Sequence, residues 1–270
     1  MTDVHVPAAA KPPIIGSAIT AWRDALAAIN SMPILMAVAF AFLLAANAAY
    51  ALLIPSPDFE QTVGLSLGLQ VLGFVLWLVE SFLFAPVAIA VFRFVLLGEV
   101  TPSYALNPSD QRFLRFFGFL VFLSALWAVL WAIMTWFFSH QDWGAMATAF
   151  GGIVILVLLV VVCIVFLRTL ILLPAIAVDA PGAQWGNALA DSKGHSWRLL
   201  FIVVCTSIPF AVIVLLLHWL FLLPPGLTLW SGAIYVVLLT IAQLPTLAAN
   251  AVAASRLFAA FSGRLGYPPR

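Results

Sequence analysis

Charged residues are scarce in this chain of 270 residues: only 8% are Asp, Glu, Lys or Arg, whereas 65% are hydrophobic. A soluble domain carries about 25% charged and about 45–50% apolar residues. Water could not solvate so apolar a chain, so the composition predicts that the lipid bilayer is its main solvent. The net charge of +1 comes without a run of basic residues, which argues against nucleic acid as a partner.

Cysteines and catalytic motifs are also nearly absent. Cys163 and Cys205 form no C-x-x-C motif and lie inside apolar runs, which predicts buried free thiols. No nucleophile-elbow, zinc-protease, P-loop or dinucleotide-binding pattern occurs. His140, Asp142 and His218 could ligate a metal, but their spacing does not require one, and solvation at the membrane surface explains them. We therefore predict no catalytic residue, no metal site and no cofactor.

Six apolar runs are long enough to cross a bilayer as helices, for which about 20 residues are needed. They cover residues 34–54, 62–84, 113–138, 150–173, 199–221 and 229–254. The second run continues beyond one crossing to Arg93, and Pro86, which lacks a backbone donor, predicts a kink within it. The predicted fold is an all-α integral membrane bundle of six transmembrane helices.

The basic residues all lie on one side of this predicted topology. The 11 Lys and Arg fall in the terminal tails, in the second and fourth connections, or at the adjoining span ends. Cytoplasmic loops of membrane proteins are enriched in Lys and Arg, so both termini are predicted to be cytoplasmic. We assign residues 1–32 to a cytoplasmic tail and interfacial helix, 33–258 to the transmembrane domain and 259–270 to a cytoplasmic tail.

Two segments outside the spans are predicted to lie on the membrane surface. In "IGSAITAWRDALAAINS" apolar side chains recur at helical spacing, which is typical of an amphipathic helix. A similar stretch, "WGNALA", precedes the fifth span. Trp22, Trp185 and Trp197 are the expected interfacial anchors of these segments, because Trp favours the headgroup region.

A repeated hairpin is indicated by matches at one fixed offset along the chain. The offset that relates Trp22 to Trp185 also relates Glu80 to Gln243 and Arg93 to Arg256. Both copies would enter the membrane from the same side, which predicts a parallel repeat about an axis along the membrane normal. Alanine residues at 37, 41 and 45 form a small-residue stripe that is expected to pack against another helix.

Glu80 is the only acidic residue deep within a predicted span. A charge at the bilayer centre costs about 2.5–3.5 kcal/mol on insertion scales, so such a residue is a candidate for function. One interpretation is a carboxyl that binds substrate or carries protons; the other, favoured by the amide of Gln243 at the matching position, is a structural clasp between helices. Asn47 and Asn250 are further polar candidates for an interior network.

Three stretches resemble a known group of proteins: "FLRTLILLPAIAVDAPG", "NALADSKGHSWRLL" and "LPTLAANAVAASRLFAAF". They are similar to bacterial six-helix inner-membrane proteins that include the YciC-like proteins and the membrane domain fused to some glycerophosphodiester phosphodiesterases. The resemblance implies that the protein is located in a bacterial inner membrane. This chain has no soluble phosphodiesterase domain, so the resemblance does not imply that activity.

The leading functional hypothesis is a non-enzymatic multi-pass membrane protein that binds lipid or another membrane protein. It would either contribute to envelope maintenance or act as an accessory subunit. The alternative is a small transporter built around the intramembrane carboxyl of Glu80. An intramembrane enzyme ranks third, because the sequence presents no nucleophile paired with a base.

Overall fold

A computed structural model describes residues 13–53, 67–139, 145–221 and 229–266. Within these ranges the chain is helical and contains no strand. The helices are α1 (Ile14–Ser31), α2 (Pro33–Leu53), α3 (Leu67–Leu97), α4 (Gln111–Ser139), α5 (Ala145–Thr169), α6 (Leu172–Ala177), α7 (Trp185–Asp191), α8 (Ser196–Phe221) and α9 (Leu229–Phe261). Six stretches, formed by α2, α3, α4, α5 with α6, α8 and α9, are long and apolar enough to cross a membrane. The predicted six-helix all-α membrane bundle is confirmed.

The long helices pair as three hairpins, α2 with α3, α4 with α5, and α8 with α9, across the described ranges. Ion pairs gather at one end of the bundle, which we call the basic end: Arg93 contacts Glu99, and Arg112 contacts Asp179. At the opposite end, the Tyr50 hydroxyl donates a hydrogen bond of 3.0 Å to the Gly73 carbonyl and so joins α2 to α3. Helices α2 and α3 are therefore antiparallel.

Helix α1 packs into the bundle through an alanine face. Ala21, Ala25 and Ala28 are fully buried against α8 and α9, whereas Ile15 and Ile19 are 70% and 65% exposed. The sequence predicted an apolar face on the membrane surface that includes Ile15, Ala18 and Ile19; in the structure Ala18 is buried with the alanine face, whereas the two isoleucines are exposed. The small side chains allow close approach to α9, while the larger ones remain free to contact lipid.

A short segment at the basic end precedes each of the three hairpins, and the contacts of these segments follow a cyclic order. Each segment packs an aromatic side chain on the preceding hairpin, and the first segment, α1, packs on the last hairpin. The Trp22 indole of α1 donates a hydrogen bond of 3.0 Å to the Thr206 carbonyl on α8. Between α3 and α4, the Tyr104 ring meets that of Phe42 on α2 at 5.2 Å. Trp185 of α7 meets the Phe119 and Phe122 rings of α4 at 5.7 and 5.2 Å.

Tyr104 is fixed by a hydrogen bond as well as by ring contact. Its hydroxyl donates to the Leu83 carbonyl at 2.9 Å, and burial raises the pKa of this phenol above its usual value. The phenol therefore stays protonated and keeps its hydrogen bond at neutral pH.

Helix boundaries support the internal repeat. Helices α2 and α8 begin at Pro33 and Ser196, which are related by the same offset as Trp22 and Trp185. Helices α3 and α9 end at Leu97 and Phe261, which match that offset to within a single position. The helix boundaries are thus consistent with the repeat that the side chains indicate.

The arginines at the ends of the hairpins make equivalent links. Arg93 binds Glu99 through two hydrogen bonds of 2.7 and 2.8 Å. Arg256 binds Asp24 of α1, with an Nε to Oδ2 distance of 3.1 Å. Arg168 instead donates to the Ser196 hydroxyl at 3.0 Å. Each arginine therefore connects the end of its hairpin to another segment at the basic end. Arg93 and Arg256 do so through an ion pair, and Arg168 does so through a neutral hydroxyl.

The region after α5 differs from the sequence prediction. The fourth span was expected to run to residue 173, but α5 ends at Thr169 and α6 forms a separate helix from Leu172. All six residues of α6 are buried. This short helix packs on α3, α4 and α9 at the basic end and closes the interior there.

A further expectation changes at the surface of the bundle. The alanine stripe at residues 37, 41 and 45 is exposed, because α2 buries Leu35, Met36, Ala39 and Leu43 instead. Helix α3 contains Pro86 and extends to Leu97.

The chain after α9 docks on the basic end. The Asp191 carboxylate accepts hydrogen bonds of 2.9 Å from the backbone N–H groups of Gly263, Arg264 and Leu265, and Leu265 is fully buried. The predicted tail boundary at residue 258 lies within α9. The segment up to residue 266 therefore belongs to the packed bundle.

We expect Ala25→Leu to destabilise the protein by about 1–3 kcal/mol, because it forces a larger side chain into the α1–α9 contact. Ala25 is fully buried there. Ala27→Leu, on the exposed side of α1, is the matched control and should change stability little. Thermal unfolding in detergent measures both. Equal behaviour of the two variants would contradict the packing of α1 on α9.

Candidate functional site

Two of the predicted intramembrane polar residues form a clasp between α2 and α9. The Asn47 amide donates hydrogen bonds of 2.8 Å to the Gln243 side-chain carbonyl and 2.9 Å to the Thr240 hydroxyl. Thr240 in turn donates to the Val236 carbonyl on its own helix, at 2.8 Å. This arrangement satisfies polar groups that lipid could not solvate.

Glu80 is not a member of that clasp. Within the described ranges no group donates a hydrogen bond to its carboxylate, and its electrostatic neighbour is Tyr50 on α2. Glu80 and Gln243, which the repeat relates, therefore have different surroundings: the amide is hydrogen-bonded between helices, whereas the carboxylate faces a cavity.

That cavity, which we call the deep cavity, has a volume of about 260 Å³ and lies between α3, α4, α6 and α9. Besides Glu80, its polar residues are Ser81 and Asn250; the remaining lining residues are Trp77, Phe84, Ala85, Ala88, Phe92, Phe116, Leu120, Leu170, Leu173, Leu247, Ala251 and Ala254. The Asn250 side-chain carbonyl also accepts a hydrogen bond of 3.3 Å from Ser207. Asn250 and Glu80 therefore share one site.

Alanines at two positions that the predicted repeat relates lie on the wall of the cavity. Ala88 of α3 and Ala251 of α9 occupy positions that the repeat makes equivalent, and both lie on its wall. Because alanine is small at both equivalent positions, the two helices leave an open volume between them. Phe92 and Phe116, exposed by only 3% and 1%, close it towards the basic end.

A larger groove continues from the deep cavity towards the opposite end of the bundle. It has a volume of about 640 Å³, and the residues that line it are Gln70, Phe74, Trp77, Leu120, Leu123, Ser124, Trp127, Ala128, Trp131, Phe166 and Leu173. We call it the aromatic groove. Trp77, Leu120 and Leu173 line both volumes, so the two are adjacent. Trp127 and Trp131 are 39% and 50% exposed, and the groove opens between α3 and α4 on the surface that meets lipid.

The three predicted anchors have different environments. Trp22 and Trp185 are half-buried against α8 and α4 through the contacts described above. Trp197 is 73% exposed and is therefore the one of the three that is free to lie among lipid headgroups. Protein contacts, in addition to lipid, hold the other two.

The groove was missed at the level of sequence. Trp77 lies three residues before Glu80, a spacing that places two side chains on one face of a helix. That proximity was visible in the sequence. The contribution of Trp127 and Trp131 was not, because it depends on how α4 packs on α3.

Metal binding finds no support in the described part of the chain. There, no group of three His, Cys, Asp or Glu side chains is placed to hold an ion. His140 and Asp142 lie outside the described residues. The deep cavity thus combines one carboxylate with two neutral polar groups, and the adjacent groove adds a long, largely apolar wall that also contains Gln70 and Ser124. This composition is suited to binding an amphiphilic molecule.

Comparison with protein-family models, with curated proteins and with solved structures finds no significant match to this chain.

We expect Gln243→Leu to destabilise the protein by about 0.6 kcal/mol, and at most about 1.7 kcal/mol, because it removes an interhelical hydrogen bond. For a chain of this size the melting temperature should fall by roughly 1–6 °C. Glu80→Leu is the comparison. It removes a buried carboxylate without breaking a hydrogen bond to a described residue, so stability should be unchanged or higher. Thermal unfolding in detergent measures both. A larger loss for Glu80→Leu would show that Glu80 is the structural clasp.

Proposed function

We propose that this multi-pass membrane protein binds a lipid or lipid-like amphiphile across the aromatic groove and the deep cavity. The observation that carries the proposal is that a largely apolar groove adjoins the cavity lined by Glu80 and Asn250 and shares Trp77, Leu120 and Leu173 with it. The groove would take the apolar part of the ligand and the deep cavity its polar part. A non-enzymatic role in envelope maintenance, or as a subunit that presents the ligand to another membrane protein, fits such a site.

We also propose the bacterial inner membrane as the location, with both termini in the cytoplasm. The distribution of all 11 basic residues supports this orientation through the positive-inside rule. The resemblance to bacterial six-helix inner-membrane proteins supports the choice of membrane.

Cavity filling tests the proposed ligand site. Ala88→Phe should fill the deep cavity, and Ala128→Trp should block the groove, so both should lower the amount of lipid that co-purifies. Ala37→Phe is the matched control, since Ala37 lies on the exposed face of α2. Native mass spectrometry of the purified protein counts bound lipid, and size-exclusion chromatography shows whether each variant is folded. Equal lipid content in all three folded variants would contradict the proposal.

Orientation is tested by cysteine labelling in intact bacterial cells, after Cys163 and Cys205 are replaced by serine. Cysteines at Ser56 and Gln141 should react with a membrane-impermeant maleimide, whereas one at Gln184 should react only after the cells are opened. Labelling at Gln184 in intact cells, with none at the other two positions, would reverse the orientation.

A small transporter is the second candidate, and one observation favours it. Glu80 lines a cavity between α3 and α9, helices that the repeat relates, and transporters commonly place their binding site at such an interface. Movement of an amphiphilic probe across proteoliposomes, lost in Glu80→Gln while lipid content is unchanged, would favour transport over binding alone.

A further inference from the structure

We infer that the ligand of the deep cavity carries a cationic organic head group, an alkylammonium or a related ion, joined to an apolar chain. This inference rests on the proposed function, because it names the class of amphiphile that the same site selects. The carboxylate and the indole next to it carry the argument.

No cation in the described part of the chain pairs with the carboxylate of Glu80. Among the described residues that line the deep cavity, Glu80 is the only charged one. The arginines Arg93, Arg112 and Arg256 are engaged with Glu99, Asp179 and Asp24 at the basic end. A carboxylate in apolar surroundings is stable only when a proton or a cation accompanies it, so a cationic ligand gains the attraction that the protein itself does not supply.

The indole of Trp77 favours an organic cation over a metal ion. Trp77 and Glu80 are three residues apart on α3, and both line the deep cavity. The face of an indole attracts ammonium groups within about 6 Å of its centre, and tryptophan is the strongest of the aromatic residues in this respect. A metal ion would need further oxygen ligands, whereas the wall around Glu80 offers Ser81, Asn250 and hydrocarbon.

The aromatic groove suits the rest of such a molecule. It continues from Trp77 past Phe74, Trp127 and Trp131 and has no charged residue among its described lining. Along α4 it extends from Leu120 to Trp131, or about 16 Å at the rise of an α-helix. An alkyl chain can lie along this length while its head group occupies the deep cavity between Trp77 and Glu80.

The test compares two probes with the same chain, dodecyltrimethylammonium and dodecanol, on the full chain in nanodiscs of uncharged lipid. The ammonium is permanently charged, so its charge does not change with pH. Direct binding of the radiolabelled probes should give an affinity at least about tenfold higher for the ammonium. Glu80→Gln should reduce this difference to the part that Trp77 supplies and leave the affinity for the alcohol unchanged. Trp77→Leu should weaken ammonium binding about fivefold, which corresponds to a modest cation–π contribution.

Glu99→Gln is the matched control, since this carboxylate lies at the basic end with Arg93, and it should bind both probes like the unmodified protein. Equal binding of the two probes, unaffected by Glu80→Gln but lost in Ala88→Phe, would overturn the cationic head group and leave the amphiphile site intact. Binding that survives in folded Ala88→Phe, or that fails for both probes, would overturn the proposed site as well.

Discussion

Contact between the first helix and the last determines the shape of the interior. Helix α1 presents alanines to α9 and holds it through the ion pair between Asp24 and Arg256. The indole of Trp22 adds a hydrogen bond to α8. Because α9 supplies the clasp with α2 and one wall of the deep cavity, its position decides whether both can form. A larger residue in the alanine face would therefore disturb a site that α1 does not line.

The absence of water from the bilayer core explains why buried hydroxyl side chains in the described spans form hydrogen bonds within their own helix. Thr206, Thr240, Thr246 and Ser255 are buried, and each donates its hydroxyl to the carbonyl four residues earlier. Such bonds satisfy a hydroxyl where water is absent and need no partner helix. Glu80 makes no such local hydrogen bond in the described part of the chain. Its place on a cavity wall, instead of in a local bond, is therefore the feature that most distinguishes this bundle.

The sequence predicted the spans well, because the length and polarity of an apolar run can be read from the chain without knowledge of its tertiary contacts. The helical face of α1 was predicted less well. Ile19 and Ala18 are both apolar, and only the position of α9 decides that the alanine packs inside while the isoleucine is exposed. The break before α6 was missed for a similar reason: residues 170–177 are as apolar as the preceding span, and packing on α3, α4 and α9 ends the helix there. Glu80 was visible as a candidate, but the groove beside it depends on side chains from separate helices.

The three links at the basic end differ in their response to electrolyte. Two of them, Arg93 with Glu99 and Arg256 with Asp24, are partly exposed ion pairs, and dissolved salt screens such pairs over distances of about 8–10 Å. The third, Arg168 with Ser196, pairs a charge with a neutral hydroxyl and has little long-range attraction to lose. Rising ionic strength therefore affects the three contacts differently. The ion pairs of Arg93 on α3 and Arg256 on α9 weaken, while the hydrogen bond between Arg168 on α5 and Ser196 on α8 persists. The surrounding ionic medium, which acts on the exposed rim of the bundle, thus weakens the links of α3 and α9, two of the helices that line the deep cavity.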